Sequence, residues 1–229
     1  GACIEGVVDL SGAGADAQRG ALQLDLAGCE FRGDPSDAVD EFGRARPVLK
    51  VENARLVRAC LTDCAFTHVS FANAQIAGDF VVKHARAVND ECVLDMREAR
   101  IDGAVRLRES TFILKARTRP NPEGRDAFAV DLYGAKVGGD IELTPRVVAR
   151  GGVRMAGSQV AGDVWCYGLV ASAMDRNTAL EIQLARIKGA LLIRAQTKPQ
   201  DEKTVVQAVE IEGEVNLLSA EVGSWLLLE

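Results

Sequence analysis

The chain of 229 residues carries 27 basic and 33 acidic side chains, for a net charge of −6 at pH 7, and 48% of its residues are hydrophobic. This length and composition suffice for one sizeable core, so we expect a single domain over residues 1–229, which can be a fragment of a longer chain. The acidic balance disfavours nucleic acid and anionic membranes as partners, because phosphate binding needs clustered lysine and arginine. No apolar run approaches the ~20 residues that span a bilayer, and no signal-like segment begins the chain.

The first predicted strands alternate apolar and polar residues over 4–10 and again over 22–26. This pattern indicates a first β-coil whose strands are joined by a glycine-containing loop. The pattern then breaks at 34–47. Within that stretch, residues 35–43 (PSDAVDEFG) have a capping serine, early acids and a terminal glycine, so we predict a short helical insertion there.

Residues 51–81 carry a large apolar side chain at every fifth position. These residues are Val51, Leu56, Leu61, Phe66, Phe71, Ile76 and Val81, and the small residues Ala54, Ala59, Cys64 and Ala74 stand two places before the middle ones. The period matches neither a helix nor a flat strand. It predicts a chain that coils around a four-sided tube, with the large residue on the axis and the small residue beside it.

Four segments resemble pentapeptide repeats, in which a small residue precedes a large central one by two places: 53–57 (NARLV), 58–62 (RACLT), 63–67 (DCAFT) and 73–77 (NAQIA). The unit at 132–143 is similar to the repeat of a related group of bacterial β-helical proteins that are often labelled membrane-associated oxidoreductases. The resemblance implies an all-β, right-handed, quadrilateral parallel β-helix. We do not carry over the oxidoreductase label, because no cofactor-binding motif accompanies the repeats.

After this block the repeating unit lengthens. Five stretches align on one template of a small residue, an apolar residue two places later and two further alternating apolar positions: 96–107, 132–143, 155–166, 182–193 and 217–228. The segments 116–127 and 197–204 are polar and turn-rich. We therefore expect both of them to form exposed loops that leave the tube.

The cysteines and histidines give no metal-binding pattern. The six cysteines lack a CxxC pair, and Cys29 and Cys64 fall where the repeat otherwise has alanine, so we expect buried, small apolar side chains there. A reducing cytoplasm is then the expected compartment. His68 falls at a position that we predict to be a solvated outward corner. The sequence therefore predicts no metal, no cofactor and no catalytic residue.

Gly-Asp pairs recur at 33–34, 78–79, 139–140 and 162–163. In adjacent coils Asp140 and Asp163 would stack at the strand spacing of ~4.8 Å, where two carboxylates can share a proton or hold Ca²⁺. One hypothesis is therefore a β-helix enzyme, or a Ca-dependent glycan binder, that uses Asp140 and Asp163. The alternative, which we favour, is a corner in which glycine supplies backbone freedom and aspartate caps free amide groups.

Four residues are predicted to bind a partner. Trp165 and Tyr167 lie at outward positions of one strand, and Trp225 and Leu227 lie in an apolar C-terminal stretch. Exposed aromatic side chains suit a protein partner. A final coil without a polar cap exposes strand edges, so we expect either that the natural protein continues beyond Glu229 or that two chains stack end to end.

These features together predict a non-enzymatic β-helical scaffold that acts as a protein-interaction module. The resemblance implies an alternative, a rod that mimics duplex DNA and occupies type II topoisomerases. That mimicry needs a mostly acidic surface, whereas 27 basic residues here nearly balance 33 acidic ones, so we rank it lower.

Overall fold

Short parallel strands make up the computed structural model, which describes residues 3–5, 8–13, 22–32, 48–89, 92–115, 128–173, 178–200 and 203–229. Within these ranges there is no helix, and all strand pairings are parallel except in one hairpin. The described chain is therefore an all-β solenoid of the β-helix type. The helical insertion predicted at 35–43, the Gly-Asp pair at 33–34 and the loop predicted at 116–127 lie outside the described residues.

The chain repeats a cycle of four strands, and each strand pairs with its counterparts in the cycles before and after it. The N-terminal strands are β1 (Cys3–Glu5), β2 (Val8–Asp9), β3 (Leu22–Ala27), β4 (Glu30–Arg32), β5 (Leu49–Lys50), β6 (Arg55–Thr62) and β7 (Ala65–Phe66). Two cycles follow, β8 (Val69–Ser70), β9 (Gln75–Ile76), β10 (Phe80–Lys83) and β11 (Arg86–Asn89), then β12 (Leu94–Asp95), β13 (Arg100–Ile101), β14 (Val105–Arg108) and β15 (Thr111–Leu114). The next two are β16 (Val130–Asp131), β17 (Lys136–Val137), β18 (Ile141–Leu143) and β19 (Val148–Arg150), then β20 (Val153–Arg154), β21 (Gln159–Val160), β22 (Val164–Tyr167) and β23 (Val170–Ser172).

The C-terminal part contains the one antiparallel pairing of the described chain. Its strands are β24 (Thr178–Glu181), β25 (Arg186–Ile187), β26 (Leu191–Arg194), β27 (Gln196–Gln200), β28 (Lys203–Gln207), β29 (Glu210–Glu212), β30 (Glu214–Asn216), β31 (Glu221–Val222) and β32 (Leu226–Leu228). The loop predicted at 197–204 is wrong for its described residues, because 197–200 belong to β27 and 203–204 to β28, which pair as an antiparallel hairpin.

Stacking of the cycles produces four strand ladders, which we call faces 1 to 4. Face 1 contains β2, β5, β8, β12, β16, β20, β24 and β30, and face 2 contains β9, β13, β17, β21, β25 and β31. Face 3 contains β3, β10, β14, β18, β22, β26 and β32, and face 4 contains β1, β4, β7, β11, β15, β19, β23 and β29. Strand β6 is long enough to pair along faces 2 and 3, which joins those two ladders into one sheet.

The four corners differ in how much the number of residues in their connections varies between cycles. From β8 onward, the connection from face 2 to face 3 has the same length in every cycle, as from Ile76 to Phe80 and from Ile187 to Leu191. From face 4 to face 1 the connection varies widely, since β19 is followed almost at once by β20 while β15 ends at Leu114 and β16 begins at Val130. The connection from face 3 to face 4 also varies, because the hairpin of β27 and β28 lies between β26 and β29. From β8 onward, variation in chain length is therefore confined to the two corners that flank face 4.

One continuous apolar core fills the coil. The inward positions predicted from the five-residue period are confirmed from Val51 to Ile76, where all six large side chains are at most 4% exposed. The small residues Ala54, Ala59, Cys64 and Ala74 are buried beside them. Each cycle thus places a layer of large and small side chains on the layer before it.

The prediction is wrong at Val81. Strand β10 buries Phe80 and Val82, and Val81 points outward between them. The cause is one additional residue between faces 2 and 3, since Ile76 pairs with Leu56 but Val82, and not Val81, pairs with Leu61. The Phe80 ring packs edge to face on Phe71, with 4.9 Å between ring centroids. The five-residue period therefore ends where the corner between faces 2 and 3 gains one residue.

The prediction for His68 is also wrong. The His68 side chain is only 8% exposed, although we predicted a solvated corner. Its backbone takes part in the stacking of the coils, since the His68 carbonyl accepts the Val48 amide at 2.8 Å. A corner inside the stack is covered by the coils on either side of it, so the position is shielded from water.

The corner between faces 1 and 2 requires a left-handed residue in each cycle. The residues at this corner have φ between 56° and 67° and are Asn53, Asn73, Glu98, Gly134, Gly157, Leu184 and Ser219. Asparagine and glycine adopt this conformation readily, whereas a bulky side chain is strained there. Leu184 is thus the residue of this column that fits its backbone least well.

We expect Leu184→Asn to raise the free energy of unfolding, measured by urea denaturation, by about 1 kcal/mol, because asparagine tolerates the left-handed conformation. Leu184 is 58% exposed, so little burial is lost. The control is Gly157→Ala at the same corner, where an added Cβ meets nothing within 4 Å. That change should lower stability through backbone strain alone, and a lowered stability for Leu184→Asn would contradict the assignment of strain to this column.

Candidate functional site

A polar column runs along the outside of face 1. The residues in register are Asp9, Lys50, Ser70, Asp95, Asp131, Arg154, Glu181 and Asn216. Several of them accept the amide hydrogen two residues further on, as Asp95 does from Arg97 at 3.0 Å and Asp131 from Tyr133 at 3.0 Å. The sequence analysis missed this column. The sequence pattern that would have predicted the column is an Asp, Ser or Asn four residues before a small inward residue, as Asp95 stands before Ala99.

Two aspartates of this column form the most deeply buried ionic network of the described residues. We call Asp95, Arg97, Asp131 and Arg154 the arginine–aspartate cluster, in which Asp95 is 2% and Asp131 3% exposed. Arg97 donates two hydrogen bonds to Asp95, from Nε at 2.9 Å and from Nη2 at 2.6 Å. Arg154 donates from Nε to Asp131 at 2.9 Å and also from Nη2. Bidentate pairs of this kind fix the plane of the guanidinium group.

Further contacts join the two pairs across neighbouring coils. Arg97 Nε lies 3.9 Å from Asp131 Oδ2, so the two arginines share one carboxylate. The Arg154 guanidinium lies 5.1 Å from the ring centroids of both Phe128 and Tyr133. Cation–π contacts with both rings add to the ion pair. The cluster therefore links the cycles that begin with β12, β16 and β20.

The surroundings keep the two arginines of the cluster charged and the nearby Cys92 thiol protonated. Hydrogen bonding to Asp95 raises the pKa of Arg97. Burial alone would lower the pKa of Arg154, but the hydrogen bonds and charge of Asp131 outweigh it and raise that pKa. Burial, together with the nearby carboxylates, raises the pKa of the Cys92 thiol well above its ordinary value. Cys92 therefore stays protonated and is a poor nucleophile.

A groove of about 640 Å³ lies over the cluster and is lined by Ala72, Asn73, Arg97, Glu98, Tyr133 and Arg154. The two arginines are balanced by two aspartates, and Glu98 adds a negative charge. The groove thus has no positive excess with which to hold an anion. In the described part of the chain, no group of three or more His, Cys, Asp or Glu side chains could hold a metal ion. The arrangement serves to cross-link coils.

The three described Gly-Asp pairs, at 78–79, 139–140 and 162–163, lie at the corner between faces 2 and 3. Each of these aspartates accepts an amide hydrogen from the next coil: Asp79 Oδ1 from Ala104 at 2.8 Å, Asp140 Oδ1 from Asp163 at 2.8 Å and Asp163 Oδ1 from Ala190 at 2.7 Å. A Cβ on Gly162 would lie 2.9 Å from the Gly139 carbonyl carbon. Only glycine therefore fits beneath the preceding coil, and the aspartates have structural partners.

The predicted aromatic pair lies on β22 of face 3. The rings of Trp165 and Tyr167 stack at 5.8 Å with an interplanar angle of 17°, and the Arg194 guanidinium lies 4.5 Å from the Tyr167 ring centroid. Both aromatic residues are half-buried. Trp165 and Leu227 share one outward column, with Leu192 between them in register. The aromatic faces are thus largely occupied by each other and by Arg194.

The last coil exposes much more apolar surface. Trp225 is 74% exposed, Leu218 63%, Leu228 58% and Leu226 52%. Leu226 and Leu228 pair in register with Leu191 and Ile193, which are core residues of the preceding coil. Leu227, which the sequence analysis named, lies on the outer side and is half-buried. The two-residue alternation of the strand instead identifies Leu226 and Leu228 as the core-facing residues, because they continue the inward column of β26.

Comparisons with known proteins add no relative. No family model matches the chain, and neither curated proteins nor solved structures give a significant match. In the described ranges there is also no helix that is long and apolar enough to cross a membrane.

Asp131→Asn tests the arginine–aspartate cluster, since asparagine can still accept the Tyr133 amide hydrogen but cannot pair with Arg154 as an ion. We expect a loss of about 3 kcal/mol or more in urea unfolding, because a buried charge is left without its partner. The control is Asp102→Asn, whose carboxylate is 54% exposed and pairs with Arg100 at 3.0 Å. That change should cost at most about 1 kcal/mol. Equal losses in the two variants would show that burial does not strengthen the cluster.

Asp79→Asn tests the corner column through pH. Burial alone would raise the Asp79 pKa, but the Ala104 amide and the Arg106 guanidinium outweigh it and hold the pKa below the ordinary 3.8. A carboxyl group with a lowered folded pKa stabilises the fold above its unfolded pKa, and that contribution disappears as the pH falls through the folded pKa. The stability difference between wild type and Asp79→Asn should therefore be constant above about pH 5 and shrink below about pH 4. A difference that does not change with pH would contradict this.

Proposed function

We propose that the protein is a non-enzymatic β-helical scaffold that acts by binding protein through the coil formed by β29 to β32. One observation carries the proposal, which is that core-facing leucines of that coil are more than half exposed. We call Leu218, Trp225, Leu226 and Leu228, with the outer edges of β29 to β32, the terminal surface. Contiguous apolar patches rimmed by polar residues are typical of protein-binding sites.

The backbone of the terminal surface supports the same proposal. Strands β29, β30, β31 and β32 each pair on one side with the preceding coil, and no described strand pairs with their other side. Their outer amide and carbonyl groups can accept another set of strands. Hydrogen bonds to these edges would supply orientation, and burial of the leucines would supply most of the affinity.

A second copy of the chain is the partner that the terminal surface fits best. Another terminal coil offers apolar side chains and strand edges at the same four-strand spacing. The surface is rimmed by Glu210, Glu212, Glu214 and Glu221, all of which are exposed. Two such rims repel each other, and salt screens that repulsion. Self-association through this surface should therefore strengthen with ionic strength.

We further infer a right-handed, quadrilateral coil of the pentapeptide-repeat kind in a bacterial, cytoplasmic protein. Parallel strand crossovers are right-handed in the great majority of proteins, which supports the hand. The described cysteines are all free, which supports a reducing compartment. The topoisomerase-binding alternative is less well supported, because Arg55, Arg100 and Lys136 share one column of face 2, where a DNA mimic would need acids.

The proposal is tested by the mass of the 229-residue chain in solution, measured by light scattering across a salt series. We expect a dimer whose dissociation constant falls as NaCl rises, and a Leu226→Glu variant that is monomeric at the same concentrations. The matched control is Val57→Glu, an apolar residue 46% exposed on an earlier coil, against 52% for Leu226. A wild-type chain that stays monomeric at high micromolar concentration, or equal effects of the two variants, would overturn the proposal.

A further inference from the structure

Face 2 carries a second surface feature, a straight groove of about 480 Å³. Its charged lining consists of four cations, Arg100, Lys136, Arg186 and Lys188, and one carboxylate, Asp102. Gln159 adds an uncharged amide group. We call these six side chains the basic groove. Its positive excess is unexpected in a chain with a net charge of −6.

The stacking of very short strands creates this groove. Long polar side chains stand in register on one side of it, from Arg100 through Lys136 and Gln159 to Arg186. Small residues lie two places further along the chain, where Gly138 and Ala161 present almost no side chain. An added Cβ on Gly138 would lie 2.3 Å from the Asp102 carbonyl oxygen, so only glycine fits there and no side chain fills this side of the groove.

The cations of the groove are only partly neutralised. Arg100 pairs with Asp102 at 3.0 Å and Arg186 with Glu221 at 3.3 Å, and both pairs are exposed. Lys136 and Lys188 form no ion pair with any part of the described chain. The nearby carboxylates of Asp140 and Asp163 lie at the next corner, where one oxygen of each accepts a backbone amide hydrogen. The groove therefore keeps unpaired ammonium groups that face solvent.

We propose that the basic groove binds an extended acidic polysaccharide, with about one sugar residue per coil. The lining side chains recur every ~4.8 Å and span three coil steps, or about 14 Å. A uronic acid residue in an extended chain has a similar length, and it carries one carboxylate for a lysine or arginine and hydroxyl groups for the Gln159 amide. Cations on both sides of the groove suit a polymer that carries a negative charge on each unit.

Two other linear anions fit less well. Single-stranded nucleic acid is usually held by aromatic side chains that stack on its bases, and no described residue lining the groove is aromatic. An extended acidic peptide presents its side chains on one face only every ~6.6 Å, which does not match the coil spacing. It also cannot add as a strand, because the backbone groups of face 2 already pair between coils.

The test is titration calorimetry of the whole chain with polygalacturonate and with its tetramer, at low and at physiological salt. We expect saturable binding that weakens as salt rises, since the contacts are exposed ion pairs. The double variant Lys136→Glu/Lys188→Glu should bind at least about tenfold more weakly. The matched control is Lys83→Glu/Lys115→Glu, which makes the same change of net charge at two lysines that do not line the groove.

Each remaining outcome overturns the assignment. Equal loss of binding in the control variant would show that total charge, and not the groove, attracts the polymer. Equal binding of uncharged dextran would exclude the role of the lysines. Tighter binding of polyglutamate or of a single-stranded oligonucleotide would assign the groove to those ligands, and no binding of polygalacturonate would remove the proposal. Because these variants leave the terminal surface unchanged, their solution mass should match that of the wild type, which keeps this test separate from the self-association test.

Discussion

Parallel stacking of successive coils is the constraint on which the rest of this structure depends. Each backbone hydrogen bond between coils fixes which residue lies above which, so equivalent positions form straight columns at the strand spacing of ~4.8 Å. The columns explain features that look unrelated in the sequence. Left-handed residues recur at one corner and glycines at another, while aspartates recur where a side chain can cap the coil above.

The same constraint explains why charged side chains are buried on face 1. Asp95 and Asp131 cap the backbone two residues on, and stacking then brings the two carboxylates into neighbouring coils. Two carboxylates at such a short distance repel each other unless cations lie between them. Arg97 and Arg154 supply those cations, and the buried pairs follow from the geometry of the turn. A functional explanation for this cluster is therefore unnecessary.

Local patterns allowed much of the fold to be predicted from the sequence. The five-residue period identified the inward residues from Val51 to Ile76, because one side of the coil takes up five residues there. It failed at Val81, because the corner before β10 has one more residue than the corresponding stretch of β6. The burial of His68 could not be predicted, since it depends on coils that are distant in sequence. Whether the helix predicted at 35–43 forms stays a prediction.

The candidate sites were harder to predict than the core. Trp165, Tyr167, Trp225 and Leu227 were chosen as apolar residues at outward or terminal positions, but exposure depends on what covers each position. Trp165 and Tyr167 stack on each other, whereas the core-facing leucines Leu226 and Leu228 are more than half exposed. The basic groove was missed because its four cations are spread over residues 100–188 and converge only through register.

The uneven corners have a consequence for how such a chain can change. From β8 onward, faces 1, 2 and 3 follow one another at fixed intervals, so an inserted residue there would shift the later side chains of its cycle out of their columns. The two edges that flank face 4 already accommodate connections of very different length, including the hairpin of β27 and β28. New peptide segments can be grafted at those edges without disturbing the register of the rod, which makes them the natural places for this architecture to gain additional parts.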